Sequence, residues 1–260
     1  MISLLDEYKI DYILSNSKDP HLTVKIHSLI KAYGTNQSFF KVWLNNDSCI
    51  IVRLDNNIYI YTPIDTDYEE IATFLCGSVS SINININISG KDDTIQKLAE
   101  YVKLPYDIKY FNILTQSNSE EHIKANINID TNPKLETVYE VLKSCENASF
   151  NVGEFSSWYV DISHRIRHNC GKSYLICFEQ PTACCLVSAK SNFAGLISGV
   201  AVKPRYRGNG FASTLVRIAC ENIWKDDILP VVECNDDLLP LYGKMGFKLA
   251  DRGARLEFQL

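Results

Sequence analysis

Long apolar runs are missing from this 260-residue chain. No stretch reaches the roughly eighteen uninterrupted apolar residues that a spanning helix requires, so none is expected to cross a membrane. A surplus of positive charge is missing too. Lys and Arg number 26 against 31 Asp and Glu, a formal net charge of −5. That balance argues against nonspecific nucleic-acid binding, which depends on neutralising phosphates with basic side chains. The start, Met1-Ile2-Ser3-Leu4-Leu5-Asp6-Glu7, lacks the basic region and long apolar segment of a secretory leader, and the expected location is cytoplasmic. The nine cysteines are odd in number, mostly sit in apolar runs and form no C-x-x-C pair. Reduced core thiols are therefore expected rather than disulfides or a zinc site, and no metal is expected.

What is present is the composition of a globular protein, with 46% hydrophobic and 22% charged residues. The length suits two domains of about 130 residues each. In the first half, helical spacing within 6–33 is followed by three short strands at 39–44, 49–54 and 57–61, separated by Asn/Asp-rich turns that mark an antiparallel meander. A helix over 68–75 and an alternating Ile/Asn strand over 82–88 come next, then a helix over 92–102 and a strand over 108–114. The polar run 116–121 reads as a linker.

The second half opens with an alternating strand over 123–129 and a helix over 133–142, capped by Asn132 or Thr131. A helix over 155–166 carries Phe155, Trp158, Ile162 and Ile166 on one face. Strands at 173–178, 183–188 and 196–202 precede a helix that runs to about Trp224. Then come a strand at 229–234, a helix at 237–245, and strands near 247–250 and 255–259. The two halves share one order of elements, which suggests tandem copies of one architecture at 1–121 and 122–260.

The run Gly199-Val200-Ala201-Val202-Lys203-Pro204-Arg205-Tyr206-Arg207-Gly208-Asn209-Gly210-Phe211-Ala212 is a strand, a glycine loop and a helix start. Gly208 and Gly210 let backbone N–H groups turn towards an anion, and the helix adds its positive end. Neither a P-loop nor a dinucleotide fold fits: no Lys-Ser/Thr follows the glycines, and no acidic residue ends a strand about 20 positions on.

The spacing of Val200, Val202, Pro204, Arg207, Gly208, Gly210 and Ala212 resembles the central motif of the GNAT superfamily of acetyl-CoA-dependent N-acetyltransferases. A second motif of that superfamily is matched by Asn235, Leu238, Tyr242 and Gly246-Phe247. The resemblance covers about half the chain and implies an α/β (α+β) fold, a mixed, mostly antiparallel sheet flanked by helices in each tandem domain. It further implies that Val200, Ala201, Val202, Arg207, Gly208, Asn209, Gly210, Phe211, Ala212, Ser213 and Asn235 hold acetyl-CoA (coenzyme A). By the same resemblance, the backbone of 200–202 splays from the neighbouring strand and faces the acetyl oxygen, and Tyr242 is the general acid at the sulfur. Glu233 is a candidate base, with a water chain as the alternative.

The expected reaction is acetyl transfer to a primary amine, with a small molecule as acceptor and a monomer or homodimer as the working form. Two readings stand beside it: a non-catalytic acyl-CoA sensor, and a protein or peptide N-acetyltransferase. By resemblance the helix carrying Asp161, His164, Arg165, Arg167 and His168 borders the acceptor. Its bland reading is an Asp161–Arg165 surface pair, and its functional one is recognition of an acceptor carboxylate by Arg165 and Arg167. The first half offers Thr62-Pro63-Ile64-Asp65-Thr66-Asp67 where a cofactor loop would stand. With two acids and no glycine, that loop should repel a pyrophosphate, so a degenerate, bracing domain is expected there.

Overall fold

The computed structural model describes residues 2–4, 19–35, 37–45, 49–62, 66–80, 86–117, 127–147 and 150–258. The chain divides into two compact units. One comprises Met1–Ile113, Cys234–Leu239 and Leu249–Leu260, the other Leu114–Glu233 and Pro240–Lys248. Contiguous halves divided at 121 were expected, whereas the observed units interleave in sequence.

The first unit holds β1 (Ile2–Leu4), α1 (Pro20–Tyr33), β2 (Phe40–Asn45), β3 (Cys49–Leu54), β4 (Asn57–Tyr61), α2 (Tyr68–Ser80), β5 (Asn87–Lys91), α3 (Asp92–Ala99) and most of β6 (Tyr106–Thr115). Strand β12 (Lys248–Phe258) completes its sheet, in the order β1-β2-β3-β4-β5-β12-β6. Helix α1 starts where the Asp19 carboxylate accepts hydrogen bonds from the His21 and Leu22 amides and Pro20 fixes the first turn. It ends at Gly34, whose N–H bonds to the Ile30 carbonyl. Leu22, Ile26 and Leu29 of its buried face pack on Phe40, Val42, Ile50 and Val52. Strand alternation sends Cys49 and Ile51 to the opposite face, where they meet Ile71, Leu75, Ile95 and Leu98 of α2 and α3.

The meander at β2 to β4 matches the sequence expectation. The alternating strand expected over 82–88 falls partly outside the described residues, and β5 begins at Asn87. Two separate C-terminal strands were expected, but β12 is one continuous strand, paired antiparallel with β5 from Gly253↔Lys91 to Glu257↔Asn87. Gly253 permits this. A Cβ there would lie 2.2 Å from the Phe111 ring, which is itself buried and flanked by His21 and the Arg255 guanidinium. Gly253→Ala is accordingly expected to cost about 2–3 kcal/mol by overpacking. In a thermal melt the midpoint should fall by roughly 5–10 °C, and Phe111→Leu in the same chain should recover part of the loss.

The second unit holds β7 (Ile129–Asp130), α4 (Leu135–Lys143), α5 (Phe155–Arg167), β8 (Lys172–Phe178), β9 (Gln180–Lys190), β10 (Ala194–Val202), α6 (Phe211–Trp224) and all but one residue each of β11 (Leu229–Cys234) and α7 (Leu239–Lys244). Its sheet runs β11-β10-β9-β8-β7. Helices α4 and α5 cover one face, with Val138, Val141, Leu142 and Ile162 against Leu175, Cys184, Leu186 and Ala201. Helix α6 buries Leu215, Val216, Ala219, Cys220 and Ile223 and packs on β8, β9 and β10. A Cβ on Gly195 of β10 would stand 2.9 Å from Ile223, so that glycine sets the closeness of helix and sheet.

Helix α4 starts at Leu135 with no side-chain cap, in place of the expected cap at Asn132 or Thr131. The Asn132 N–H is instead held by the Asp130 carboxylate in a tight turn. Most of the strand expected over 123–129 lies outside the described residues. Both units contain the same core motif: an antiparallel three-strand meander whose last strand pairs in parallel with the strand after the next helix, β4 with β5 and β10 with β11. The expected mixed, mostly antiparallel sheets flanked by helices are what the structure has. Among the described residues, no helix is long and apolar enough to cross a membrane.

Candidate functional site

Strands β10 and β11 pair in parallel from Ala194↔Leu229 to Ile197↔Val232, and there the pairing stops. Strand β10 nevertheless runs on to Val202. The cause lies on the other side of β10. Between Ser198↔Leu186 and Ala201↔Cys184, β10 takes three steps for two of β9, a β-bulge. Gly199 sits in it with φ +55°, a left-handed conformation that side chains rarely adopt, while Leu142 and Leu186 press on the position a Cβ would take. The bulge turns 199–202 away from β11 and opens the sheet at its carboxyl end. The splay of 200–202 was expected by resemblance, but reading 196–202 as a regular strand missed the bulge behind it, although a glycine inside a strand is itself a bulge signal.

Just beyond, Lys203 is tied to β9 by a 3.0 Å hydrogen bond from its N–H to the Thr182 carbonyl. Pro204–Tyr206 forms a single 3-10 turn, and the Asn209 side chain donates to the Tyr206 carbonyl at 3.0 Å. Arg207 Nε donates to the Val202 carbonyl at 3.2 Å, leaving the rest of its exposed guanidinium free to face solvent or an anion. Tyr206 is buried, braced by Gln180 and Arg205, and Phe178 and Phe211 stack nearby with centroids 6.1 Å apart.

Gly208 and Gly210 have φ of +83° and +76°, and a Cβ at either would meet nothing within 4 Å. Space above the loop is open. Gly210 occupies the N-cap position of α6 and has no side chain to cap it. Among the described residues, no hydrogen bond satisfies the backbone N–H groups of 208–213, while the Thr214 N–H begins the helical ladder on the Gly210 carbonyl. Six successive unpaired amides thus lie at the positive end of a fourteen-residue helix, a donor set able to receive an anion.

The first unit shows the contrast. At α2 the Asp67 carboxylate accepts the Glu70 N–H at 2.9 Å, so the helix N-terminus is closed by the chain's own negative charge. Residues 63–65 of the loop read as degenerate lie outside the described residues.

Glu233 stands on β11 one residue beyond the last pair with β10, half-buried, at the end of the sheet where the strands part. Tyr242 is 5% exposed on α7, and its ring meets Phe247 edge-on at 5.7 Å. Its carbonyl accepts the N–H groups of Met245 and Phe247, which closes the helix at Gly246. The second unit thus contains 200–213, Glu233 and Tyr242. Asn235 opens a 3-10 turn at Asp236–Leu238, in the segment that groups with the first unit. The helix expected over 237–245 is therefore a 3-10 turn followed by the shorter α7.

On α5 the Arg165 guanidinium is engaged twice, by Asp161 at 2.8 Å and by the Ser188 carbonyl of β9 at 3.1 Å, and it is only 12% exposed. It ties α5 to the sheet, so the reading as a carboxylate receptor does not hold for Arg165. Arg167 bonds its own helix at the Ser163 carbonyl. His164 and His168 stack 4.2 Å apart, and His168 Nδ1 lies 2.9 Å from the His164 carbonyl. All nine cysteines are free thiols, and burial pushes Cys49 and Cys220 up to about 12.

Residues 135–247 match the model of the Acetyltransferase (GNAT) family. Solved structures resemble the chain over nearly its whole length. A GCN5-related N-acetyltransferase from Kribbella flavida aligns with a TM-score of 0.67 and 11% identity over 94% of this chain and 97% of that one. A Drosophila protein aligns at 0.71 and 11% over 99% and 98%. A tandem GNAT protein from the clavulanic acid biosynthesis pathway aligns at 0.64 and 10% over 99% and 97%. At such identities the likeness is one of fold. No curated protein matches significantly. The splayed strands, the amide cradle and the family match coincide in one segment, and residues 135–247 of this chain form a GNAT-family acetyltransferase domain.

Proposed function

We propose that this domain transfers an acetyl group from acetyl-CoA to a primary amine of a small molecule, by direct attack of the amine on the thioester. The observation that carries the reading is the row of unpaired amides at 208–213 beside the opening between β10 and β11. The donor set suits a pyrophosphate: it is all backbone N–H at a helix N-terminus, with open space above it.

Acetyl-CoA supplies an activated acyl group and, through its pyrophosphate, a handle by which to hold it. The amides of Gly208, Asn209, Gly210, Phe211, Ala212 and Ser213 bind that handle, and Arg207 adds a positive charge at its edge. The backbone of Val200, Ala201 and Val202, freed from β11 by the bulge, presents donors that orient and polarise a carbonyl. Tyr242 holds its phenolic proton for the departing sulfur, and its buried ring keeps that proton in one place. Glu233, at the mouth of the opening, takes one proton from the incoming ammonium so that a neutral amine attacks, and the second proton, shed by the nitrogen as the C–S bond breaks and the amide forms, restores the Tyr242 phenol that protonated the sulfur. The net charge of −5 favours a cationic acceptor over an anionic one.

The test is thiol release from acetyl-CoA across a panel of polyamines, amino sugars, amino acids and basic peptides. Release with a small amine is the expected result. Binding without release for every amine would make the domain a sensor, and release with peptides alone would overturn the small-molecule acceptor.

A further inference from the structure

A cavity of about 380 Å³ lies against α6, between that helix and the segment Gly243–Lys248. It starts at Ser213, the last residue of the amide cradle, and continues along the helix past Arg217 and Glu221 to Trp224. Lys244 and Lys248 also line it. The spacing follows the helix: positions 213, 217, 220–221 and 224 share one face.

Two donors in this cavity are buried and have no partner, Arg217 Nη1 and Trp224 Nε1. Neither residue's side chain makes a hydrogen bond or ion pair among the described residues, even though Glu221 stands four residues beyond Arg217. A buried guanidinium nitrogen and a buried indole N–H are both costly to leave unsatisfied. Since both are donors and neither can accept, the group they await is an acceptor. Three cationic side chains against one carboxylate on the lining make it an anion.

We infer that this cavity is a phosphomonoester site, held by Arg217 with Trp224 and Lys244, and adjoining the cradle through Ser213. Its two sources are the ribose 3′-phosphate of coenzyme A and a free phosphate. The first rests on the proposed acetyl-CoA reading, and the geometry favours it. Arg217 follows Ser213 by one helical turn, about 6 Å along the axis, a span that the ribose can bridge from pyrophosphate to 3′-phosphate. The guanidinium would then select the phosphorylated cofactor over its dephospho form without touching the reacting acetyl group.

Equilibrium binding of coenzyme A and 3′-dephospho-coenzyme A to the full chain tests the first source. The wild type should prefer coenzyme A by about tenfold or more, the effect of one charge-assisted hydrogen bond. Arg217→Gln should erase the preference, binding both as the wild type binds the dephospho form, and Arg217→Lys should keep part of it. Unchanged thermal transitions would show that both variants fold, and Trp224→Phe gives an independent probe of the same cavity. A titration with inorganic phosphate, read by tryptophan emission, tests the second source. An emission change that disappears in both Trp224→Phe and Arg217→Gln assigns the site to free phosphate. This arm stands even if neither form of coenzyme A binds, a result that would sink the acetyl-CoA reading alone. A preference that survives Arg217→Gln overturns the proposal. So does the absence of both a preference and an Arg217-dependent phosphate response.

Discussion

Gly210→Asp should abolish coenzyme A binding while leaving the chain close to its original stability. The substitution puts a carboxylate at the N-cap of α6, where the unpaired amides of 208–213 would receive it in place of a pyrophosphate. Nothing lies within 4 Å of the new Cβ, and aspartate tolerates the left-handed backbone at φ +76° better than most residues. Stability should therefore change by no more than about 1 kcal/mol, the strain being offset by the new cap. Binding should weaken by at least about 100-fold, or ~2.7 kcal/mol, because the cradle is filled and like charges meet. The first unit already has a carboxylate in this position, with Asp67 accepting the Glu70 N–H of α2. Calorimetry beside a thermal melt separates the two effects. Undiminished binding in a folded variant would remove the loop from cofactor recognition.

Tyr242→Phe should leave acetyl-CoA affinity unchanged and lower kcat by about 100- to 1,000-fold, the usual contribution of a positioned acid. The ring is 5% exposed and packs on Phe247, and phenylalanine keeps that contact. Loss of the hydroxyl alone is then the difference being measured. With the tyrosine acting, as proposed, in the chemical step, kcat and kcat/KM should fall together. Slower turnover together with weaker binding would instead point to a damaged pocket. Normal turnover would take Tyr242 out of the mechanism.

Much of this was legible in the sequence because the informative residues act locally. Two glycines between an apolar strand and a helix define the cradle through backbone conformation alone, and Gly208 and Gly210 do adopt positive φ. The meander at β2 to β4 was legible for the same reason, since its Asn/Asp turns lie between short β-branched runs. What escaped depends on residues far apart in the chain. Gly253 runs β12 past Phe111, and no local pattern distinguishes that from a turn between two strands. Nor does a helix periodicity show that Arg165 spends its guanidinium on the Ser188 carbonyl. The β10 bulge lies between these cases: Gly199 hints at it, but the place where the strands part is fixed by Leu186 and Leu142.

We propose that the chain has one cofactor cradle, at 208–213, its counterpart at α2 carrying the Asp67 carboxylate on the Glu70 amide. Calorimetric titration of the full chain with acetyl-CoA measures that directly. One molecule bound per chain is expected in the wild type and none in Gly210→Asp. Two molecules per chain, or one that persists in the variant, would contradict it.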